Sequence, residues 1–435
     1  MRRKRNPVIL KEQRKVNYKE AREYLDRVSV SGSILGLDSI RALMDELGNP
    51  QGELRIVHIA GTNGKGSILT YVRSILGKAG YSVGTYSSPS VFGYLERFQI
   101  DGEWMDESEL PEYVEKAQKA VDRMLAKGLA HPTVFEIETA VAFLYFEDRG
   151  CDYVILETGM GGDLDSTNVI SRPLVCAFAS ISMDHIGVLG DTLEEIAACK
   201  SGIIKPGASV ITGPQRPEVM AILKEKAECA DCRLTETSTI MHKDSSLDGQ
   251  SFVYNNRIYC ISLLGRHQQI NAAVAIEIAE ALRQRGAAIE DENIAEGLSD
   301  ARWPGRLEVI RKSGRMFILD GAHNEAAARA LSDALTELLG DERIDIVMGV
   351  FRDKEYEVIA GILEPHIRRC FCTRLPNAER SLSAEELQAV MTGLGVSCCT
   401  EPSIADAIGR ACGTTLITGS LSLLADAKRA IEELD

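Results

Sequence analysis

A glycine-rich segment, GTNGKGS at 61–67, constrains the fold more than any other part of this 435-residue chain. It follows the β-branched run LRIVHIA at 54–60, which predicts a buried strand, and it precedes a helical pattern from Ser67 to Ala79. In this context glycines let backbone N–H groups surround phosphate oxygens, while Lys65 and the helix N-terminus add positive charge. The segment predicts a phosphate-binding loop, although its spacing differs from G-x-x-x-x-G-K-[ST]. A glycine-rich turn without a ligand is the alternative.

Apolar runs and helical patterns alternate along the first 300 residues. Further strands are predicted at 153–156, 174–181 and 210–211, and helices at 134–146, 193–201 and 219–227. Such alternation predicts a mainly parallel sheet that is covered on both faces. The polar stretch 238–259 carries the turn signals Asp248-Gly249 and Asn255-Asn256, so we expect a β-hairpin insertion there, followed by a helix at 267–285.

The alternating pattern restarts near residue 301. Strands are predicted at 307–310, 316–319, 344–348, 369–372 and 415–417, and helices at 325–339, 384–393, 404–411 and 421–433. A chain of this length usually forms more than one hydrophobic core. We therefore expect an α/β protein with two domains: a P-loop-type, mainly parallel ATPase domain at 1–300 and a smaller Rossmann-like domain at 301–435.

Composition excludes several functional classes. The formal charge of −15 argues against a nucleic-acid partner, and no segment has the apolar length of a membrane span. The basic start Arg2–Arg5 is followed by the polar and charged Lys11–Arg14 rather than by the apolar run of a signal peptide. Eleven scattered cysteines, among them the isolated pair Cys229 and Cys232, indicate reduced thiols and a cytoplasmic location.

Several motifs follow the glycine-rich loop in a fixed order along almost the whole chain. They are SSP at 87–89, LERFQI at 95–100, LETGMGGDLDSTNV at 156–169, SMDHIGVLGDTLEEIA at 182–197, KSGIIKPG at 200–207, LGRHQQIN at 264–271, WPGRLE at 303–308, LDGAHN at 319–324 and TGSL at 418–421. In these motifs the chain resembles the folylpolyglutamate and dihydrofolate synthases, relatives of the Mur peptidoglycan ligases.

The resemblance implies an ATP-dependent ligase that adds L-glutamate to the γ-carboxylate of a reduced folate through an acyl phosphate. It also implies two Mg²⁺ ions and a monomer. Many members that also accept dihydropteroate have His after the Ser-Pro pair and Arg after the GG pair, where this chain has Ser90 and Asp163. These two departures put the dihydrofolate synthase activity in doubt and leave the polyglutamylation activity as the expectation.

By the same resemblance, nucleotide-binding residues lie in three motifs. The ATP set is Thr62, Asn63, Gly64, Lys65, Gly66, Ser67, Asn271, Arg306 and Asp320, with His267 nearby. The resemblance places Ser88 and Glu157 on the Mg²⁺ that is shared with ATP, and His185 on a second Mg²⁺. Lys200 would be carbamylated and, together with Lys65 and His323, catalytic.

Elementary chemistry agrees with several of these roles. Glu157 ends a predicted strand, where α/β sheets place ligand-binding groups, although a strand-end carboxylate that caps a turn is an alternative. A lysine near two Mg²⁺ ions would be repelled, so a depressed pKa and capture of CO₂ would suit Lys200; an ordinary lysine at a helix C-terminus is its alternative. The alternative for His267 is a histidine that caps a helix, and the alternative for Arg306 is a surface arginine in a linker.

Two other functions compete with the folate ligase. A Mur-type ligase that acts on a nucleotide-linked cell-wall precursor would be expected to carry a further N-terminal domain, whereas only about 50 residues precede the first core strand. A P-loop protein that switches partners on nucleotide hydrolysis would leave LDGAHN and WPGR without a function, and the chain has no N-K-x-D motif.

Overall fold

The computed structural model describes residues 16–29, 36–185, 187–377 and 379–434, and the basic segments Arg2–Arg5 and Lys11–Arg14 lie outside these ranges. The helices of the described part are α1 Tyr18–Ser29, α2 Asp38–Leu47, α3 Lys65–Lys78, α4 Leu110–Ala126, α5 Val134–Asp148, α6 Leu193–Ser201, α7 Pro217–Cys229, α8 Arg266–Gln284, α9 Asp291–Asp300, α10 Glu325–Leu339, α11 Tyr356–Leu363, α12 Ala384–Gly393, α13 Ile404–Arg410 and α14 Leu424–Glu432. Within the same ranges, no helix combines the length and the apolar character needed to cross a bilayer.

In the ranges that the structure describes, the strands form three sheets. They are β1 Ile56–Ala60, β2 Val83–Tyr86, β3 Phe98–Ile100, β4 Glu103–Trp104, β5 Tyr153–Glu157, β6 Val175–Phe178, β7 Ser209–Thr212, β8 Leu234–Glu236, β9 Met241–Ser246, β10 Gly249–Tyr254, β11 Arg257–Ile261, β12 Glu308–Lys312, β13 Arg315–Leu319, β14 Ile344–Met348, β15 Ile367–Cys372, β16 Cys398–Thr400 and β17 Thr414–Thr418.

The largest sheet has the order β4-β3-β2-β5-β1-β6-β7-β8. The strands from β2 to β8 are parallel, and β3 and β4 add an antiparallel edge. The prediction of a mainly parallel sheet is confirmed. Strand β1 is buried along its whole length between β5 and β6, and Ile59 pairs with Glu157. The loop after β1 and the end of β5 therefore lie at the same carboxyl edge of the sheet, where open α/β sheets bind ligands.

Helices cover both faces of this sheet, as burial of parallel strands requires. Helices α3, α8 and α9 pack with one face, and α2, α4 and α5 pack with the other. Helix α3 is almost entirely buried along Ser67–Val72, so the helix that follows the glycine-rich loop is fixed within the core. This packing holds the loop in a defined position relative to the strand ends.

The insertion after β8 differs from the predicted hairpin because it has three antiparallel strands, β9 to β11, instead of two. Both turn signals are used: one joins β9 to β10, and Asn255 and Asn256, with φ of 48° and 63°, join β10 to β11. Phe252, Tyr254 and Tyr259 of the insertion belong to the same apolar core as α8. The small sheet is thus anchored beside the start of α8.

The second large sheet has the order β12-β13-β17-β14-β15-β16, and all its pairs except β12 with β13 are parallel. Helices α10 to α12 and α13 to α14 contribute to two separate apolar cores. The predicted second α/β sheet is confirmed. At its end, α14 begins at Leu424, because residues 421–423 form a 3₁₀ turn instead of the first turn of a longer α-helix.

Candidate active site

The glycine-rich loop connects β1 to α3 and is held by the segment that follows β6. The N–H groups of Thr62 and Asn63 donate to the carbonyl oxygen of Ser180 at 2.8 and 3.3 Å, and the Thr62 hydroxyl donates to the carbonyl of Ser182 at 3.0 Å. Gly64 precedes α3 with φ of 99°, and no side chain caps the helix. The first N–H groups of α3 therefore have no side-chain acceptor, which suits an anion at this helix end.

Two glycines of the loop leave space for other elements. A methyl group added at Gly64 would come 2.6 Å from Oδ1 of Asn271, and one added at Gly66 would come 2.8 Å from a ring carbon of Trp303. Asn271 lies in α8, and Trp303 precedes the second sheet. The sequence pattern predicts glycines that approach phosphate, and the structure shows that these two also accommodate neighbouring side chains.

Gln268 of α8 is a contact of the loop that sequence reasoning missed. Its Nε2 donates to the Ser67 hydroxyl oxygen at 3.1 Å, and its Oε1 accepts a hydrogen bond from Asn271 Nδ2, also at 3.1 Å. All three side chains are buried. Because Ser67 accepts this bond, its own O–H is directed elsewhere and is available for a phosphate oxygen. The motif LGRHQQIN contained the signal, since Gln268 and Asn271 are three residues apart on one helical face.

Glu157 and Lys65 meet at the carboxyl edge of the first sheet. Lys65 Nζ lies 3.7 Å from Glu157 Oε1, and it donates to the carbonyl oxygens of Gly61 and Thr62 at 3.2 and 3.3 Å. Burial raises the pKa of Glu157, and the charges of Lys65 and then Arg306 oppose that rise. A hydrogen bond from the Ser88 backbone N–H to the same carboxylate lowers the pKa of Glu157 further. The structure thus brings together Lys65, Ser88 and Glu157.

Lys200 lies in the last turn of α6 but does not extend into solvent. The residue is 4% exposed, and its Nζ donates to the carbonyl oxygen of Gly61 at 3.0 Å. Burial and then the charge of Lys65 lower the pKa of Lys200 to about 7. A substantial fraction of this amine is therefore neutral, and nucleophilic, near neutral pH.

The loop after β6 carries His185 and its neighbour Asp184. His185 is exposed, has φ of 52°, and its Nε2 lies 4.0 Å from Asp184 Oδ2. Asp184 also lies 3.3 Å from Lys354 Nζ and 3.5 Å from Asn324 Nδ2. Burial would raise the pKa of Asp184, but Lys354 and then His185 hold it below its usual value. Sequence reasoning missed Lys354, which lies in the loop between β14 and α11.

Asn324 joins the glycine-rich loop to the second sheet. It exchanges two hydrogen bonds with Asn63, at 3.1 and 3.2 Å, and its Oδ1 accepts the Ala327 N–H at the start of α10. The cap of α10 is therefore in direct contact with the loop. The LDGAHN motif contained Asn324, but nothing in its spacing indicated a partner 261 positions earlier.

Arg306 and Asp320 lie where the chain enters the second sheet. Both carboxylate oxygens of Asp320 accept backbone N–H groups, from Leu307 at 3.0 Å and from Ala322 at 2.9 Å. Burial raises the pKa of Asp320, and Arg306 opposes the effect. The structure thus gives Asp320 two backbone partners that hold the turn beside Arg306.

Two histidines complete this part of the site. His323 donates from Nδ1 to the carbonyl oxygen of Gly321 at 2.8 Å, so its Nε2 is free to accept a proton or a hydrogen bond. Burial lowers the pKa of His323. Burial and then the charge of Arg306 lower the pKa of His267 to about 4. Both imidazoles are therefore neutral at physiological pH.

Asp163 is one of the two residues that depart from the bifunctional pattern, and its carboxylate is hydrogen-bonded to other groups of the protein. Its Oδ1 accepts hydrogen bonds from the Cys199 thiol at 3.0 Å and from the Leu164 N–H at 2.9 Å. Cys199 immediately precedes Lys200, so Asp163 lies beside the turn that carries this buried amine. The other departure, Ser90, lies two residues after Ser88 and is half-buried.

The chain matches two protein families. Residues 59–279 match the Mur ligase middle domain, and residues 305–425 match the Mur ligase glutamate ligase domain. A curated relative, the dihydrofolate synthase/folylpolyglutamate synthase of Bacillus subtilis, is 38% identical over 357 residues, which are 80% of this chain and 83% of the relative.

Solved structures give the same result. Folylpolyglutamate synthase from Thermotoga maritima superposes with a TM-score of 0.85 and 31% identity, covering 96% of this chain and 97% of that one. Mycobacterium tuberculosis folylpolyglutamate synthase complexed with ADP and AMPPCP gives a TM-score of 0.85 and 28% identity over 96% and 100% of the two chains. The two domain matches, the full-length similarity and the shared fold lead to one conclusion: the chain belongs to the folylpolyglutamate and dihydrofolate synthase family of Mur ligases.

Proposed function

We propose that this protein is an ATP-dependent ligase that joins L-glutamate to the γ-carboxylate of a reduced folate. The observation that carries the proposal is the arrangement around Gly61, where Lys65 and Lys200 converge beside the uncapped N-terminus of α3 and the buried Glu157. Two lysine side chains beside an uncapped helix N-terminus suit a polyphosphate. Two of the similar proteins reported above are folylpolyglutamate synthases, one of them in complex with ADP and AMPPCP, a non-hydrolysable analogue of ATP.

The residues present fit a Mg²⁺ requirement. Among the described residues no group of three or more His, Cys, Asp or Glu side chains is arranged to hold a metal ion. Mg²⁺ needs no such cage, because it commonly binds one or two protein oxygens and completes its octahedron with phosphates and water. Glu157 is buried with its pKa raised, so a further cation would help keep it ionised. We propose Glu157 and Ser88 as ligands of one Mg²⁺ and His185 as a ligand of a second; both ions would screen phosphoryl charge.

Carbamylation would make Lys200 compatible with these ions. The neutral amine would attack CO₂, form an N–C bond and release one proton, which replaces a cation by a carbamate anion. The low pKa of Lys200, caused by burial and by Lys65, supports this proposal because it keeps the amine neutral near pH 7. The carbamate would also relieve the repulsion between the two lysines.

In the proposed reaction, the γ-carboxylate of the folate attacks the γ-phosphorus of ATP, and ADP leaves. Lys65 and Arg306 would stabilise the transferred charge, and the loop residues Thr62 to Ser67 together with Asn271 and Asp320 would hold the nucleotide. The amine of L-glutamate then attacks the acyl carbon of the acyl phosphate, phosphate leaves, and the amine loses one proton. We include His323 in the catalytic set because its Nε2 is a free acceptor.

We also propose a boundary between domains 1–300 and 301–435. In support, α9 ends at Asp300, the second sheet begins at Glu308, and the two family matches are separated by residues 280–304. The contacts Asn63–Asn324 and Asp184–Lys354 would then lie between domains and close the site around the substrates. We also propose that the protein acts as a monomer.

One experiment separates this function from its competitors. Purified protein is mixed with ATP, Mg²⁺ and L-glutamate together with tetrahydrofolate, dihydropteroate or a nucleotide-linked cell-wall precursor, and ADP release and product mass are measured. We expect ADP release that requires both glutamate and tetrahydrofolate, and a product heavier by one glutamyl residue. A product formed from dihydropteroate would show that the protein also has dihydrofolate synthase activity. ADP release that ignores both substrates would indicate a nucleotide switch and overturn the proposal.

A further inference from the structure

A chain of hydrogen bonds leads from α10 of the second sheet towards the glycine-rich loop. Glu337 of α10 accepts a hydrogen bond at Oε2 from Arg266 Nε at 3.0 Å, and its Oε1 lies 2.9 Å from His242 Nε2. Arg266 is the first residue of α8, and His242 lies in β9 of the inserted sheet. A single carboxylate thus binds α10 to two different elements. None of these three residues belongs to the proposed catalytic or ligand-binding set.

The polar side chains behind His242 fix the direction of each bond. Gln250 Nε2 donates to two backbone carbonyl oxygens, at 2.6 and 2.9 Å, so its Oε1 must act as the acceptor. Gln269 Nε2 donates to that Oε1 at 2.7 Å and lies 2.8 Å from His242 Nδ1. His242 Nδ1 is therefore an acceptor, and the ring proton is on Nε2, where it points at Glu337. The amide side chains of Gln250 and Gln269 thus orient the Nε2 proton of His242 towards Glu337.

The same helical turn reaches the glycine-rich loop. Gln268 is two residues after Arg266 and donates to the Ser67 hydroxyl, and Asn271 one turn later fills the space above Gly64. Residues within one turn of an α-helix move together, because the backbone hydrogen bonds fix their relative positions. A displacement of Arg266 by α10 would therefore displace Gln268 and Asn271 against the loop.

We propose that Glu337 is a positioning residue that couples the placement of α10 to the geometry of the glycine-rich loop through the first turn of α8. The Glu337 side chain is 18% exposed, so its two bonds are partly shielded from water. Asn324 caps the N-terminus of α10 and contacts the loop directly through Asn63. Glu337 thus fixes the far end of a helix whose near end already contacts the nucleotide site. The inference rests on the proposed function, because it requires that the loop binds a nucleotide.

The test uses equilibrium binding of ADP, measured by calorimetry, together with kcat and KM for ATP. Glu337→Gln removes the charge and keeps the shape of the side chain. Glu325→Gln is the matched control, because Glu325 also lies on α10 but its partner, Arg329, is on the same helix. We expect ADP affinity to fall about three- to tenfold for Glu337→Gln and to stay unchanged for Glu325→Gln. Equal affinities in the two variants would overturn the inference.

A double-mutant cycle tests the route through α8. If Glu337 acts through Gln268, then Glu337→Gln should have little further effect on ADP affinity in a Gln268→Met background. Additive losses would contradict that route. If Glu337→Gln does not fold, Arg266→Gln removes the same bond from a side chain that is 66% exposed and should weaken ADP binding similarly. Wild-type protein that does not bind ADP would refute the proposed function itself.

Discussion

Lys65 and Lys200 donate to the same carbonyl oxygen, that of Gly61, at 3.2 and 3.0 Å. Two ammonium groups on one acceptor repel each other, and burial already disfavours the charge on Lys200. The pKa of Lys200, about 7, follows from these two causes. The charge of Lys65 in the glycine-rich loop therefore influences the protonation state of the neighbouring Lys200 amine.

Lys200→Met should stabilise the protein near neutral pH when CO₂ is excluded. The pKa of Lys200 falls from 10.5 to about 7 on folding, so the unfolded chain binds more protons between these values and stability rises with pH across that window. Below this pH window the full free-energy penalty of the buried charge is present, on the order of 5 kcal/mol for a fall in pKa of about 3.5 at about 1.4 kcal/mol per pKa unit. Urea unfolding at pH 7 and pH 10.5 should show a gain for the variant only at the lower pH. An equal effect at both pH values would contradict the prediction.

Lys200→Ala should abolish ligase activity, and short carboxylic acids such as formate should restore part of it, because they can replace a carbamate anion. Wild-type activity should also fall in CO₂-depleted buffer and return with bicarbonate. Initial rates of ADP release measure both effects. Lys205→Ala is the control, since its amine, in the loop after α6, donates to the Gly202 carbonyl oxygen at 3.4 Å. Full activity of Lys200→Ala would refute the catalytic role.

Glu157→Gln should fold normally and lose at least about 100-fold in kcat, because the amide cannot balance cations at the phosphoryl group. The loss of the 3.7 Å contact leaves Lys65 with its two carbonyl acceptors, so the melting temperature should change little. Glu236→Gln, at the exposed end of β8, provides a strand-end control that should keep full activity. Mg²⁺-dependent ADP binding should be lost only in Glu157→Gln.

Gly66→Ala should weaken nucleotide binding and cost about 1 to 3 kcal/mol of stability, because the new methyl group would overlap the Trp303 ring. Gly77→Ala, in the same helix, is the control: no atom lies within 4 Å of the added methyl group, so the variant should be slightly more stable. Thermal unfolding and ADP titration measure both. Trp303→Leu combined with Gly66→Ala should recover part of the lost stability.

Lys354→Met and Asp184→Asn should each reduce kcat/KM, and the double variant should be less impaired than the sum of the two losses predicts. Each single change leaves one charge of a largely buried pair without its partner, whereas the double change removes both. Kinetics of the four proteins give the coupling energy. Strict additivity would mean that the pair does not act as a unit.

The sequence predicted the elements whose signals are local. The strand before the loop, helices α6, α10 and α12, and the carboxyl-edge position of Glu157 follow from apolar periodicity and from capping residues within a few positions. Helices α1, α2, α4, α9 and α11 were not predicted, although Ile40, Leu43 and Met44 of α2 carry helical spacing and are buried. The polar start obscured that short signal.

The remaining contacts join elements that are far apart in the sequence. Lys354 meets Asp184 across 170 positions, and Gln268 meets Ser67 across 201. No periodicity encodes such pairs, because the folded arrangement of whole elements creates them. The roles of Arg306, Asp320 and His323 in binding and catalysis stay predictions.

The indole of Trp303 packs against Gly66, so we expect tryptophan fluorescence to report on ligands bound at the glycine-rich loop. The chain has only two tryptophans, and the other, Trp104, lies in the edge strand β4 and is 46% exposed. Tryptophan emission from a Trp104→Phe variant would therefore come from Trp303 alone. Nucleotide binding could be followed by fluorescence, without a dye and without turnover.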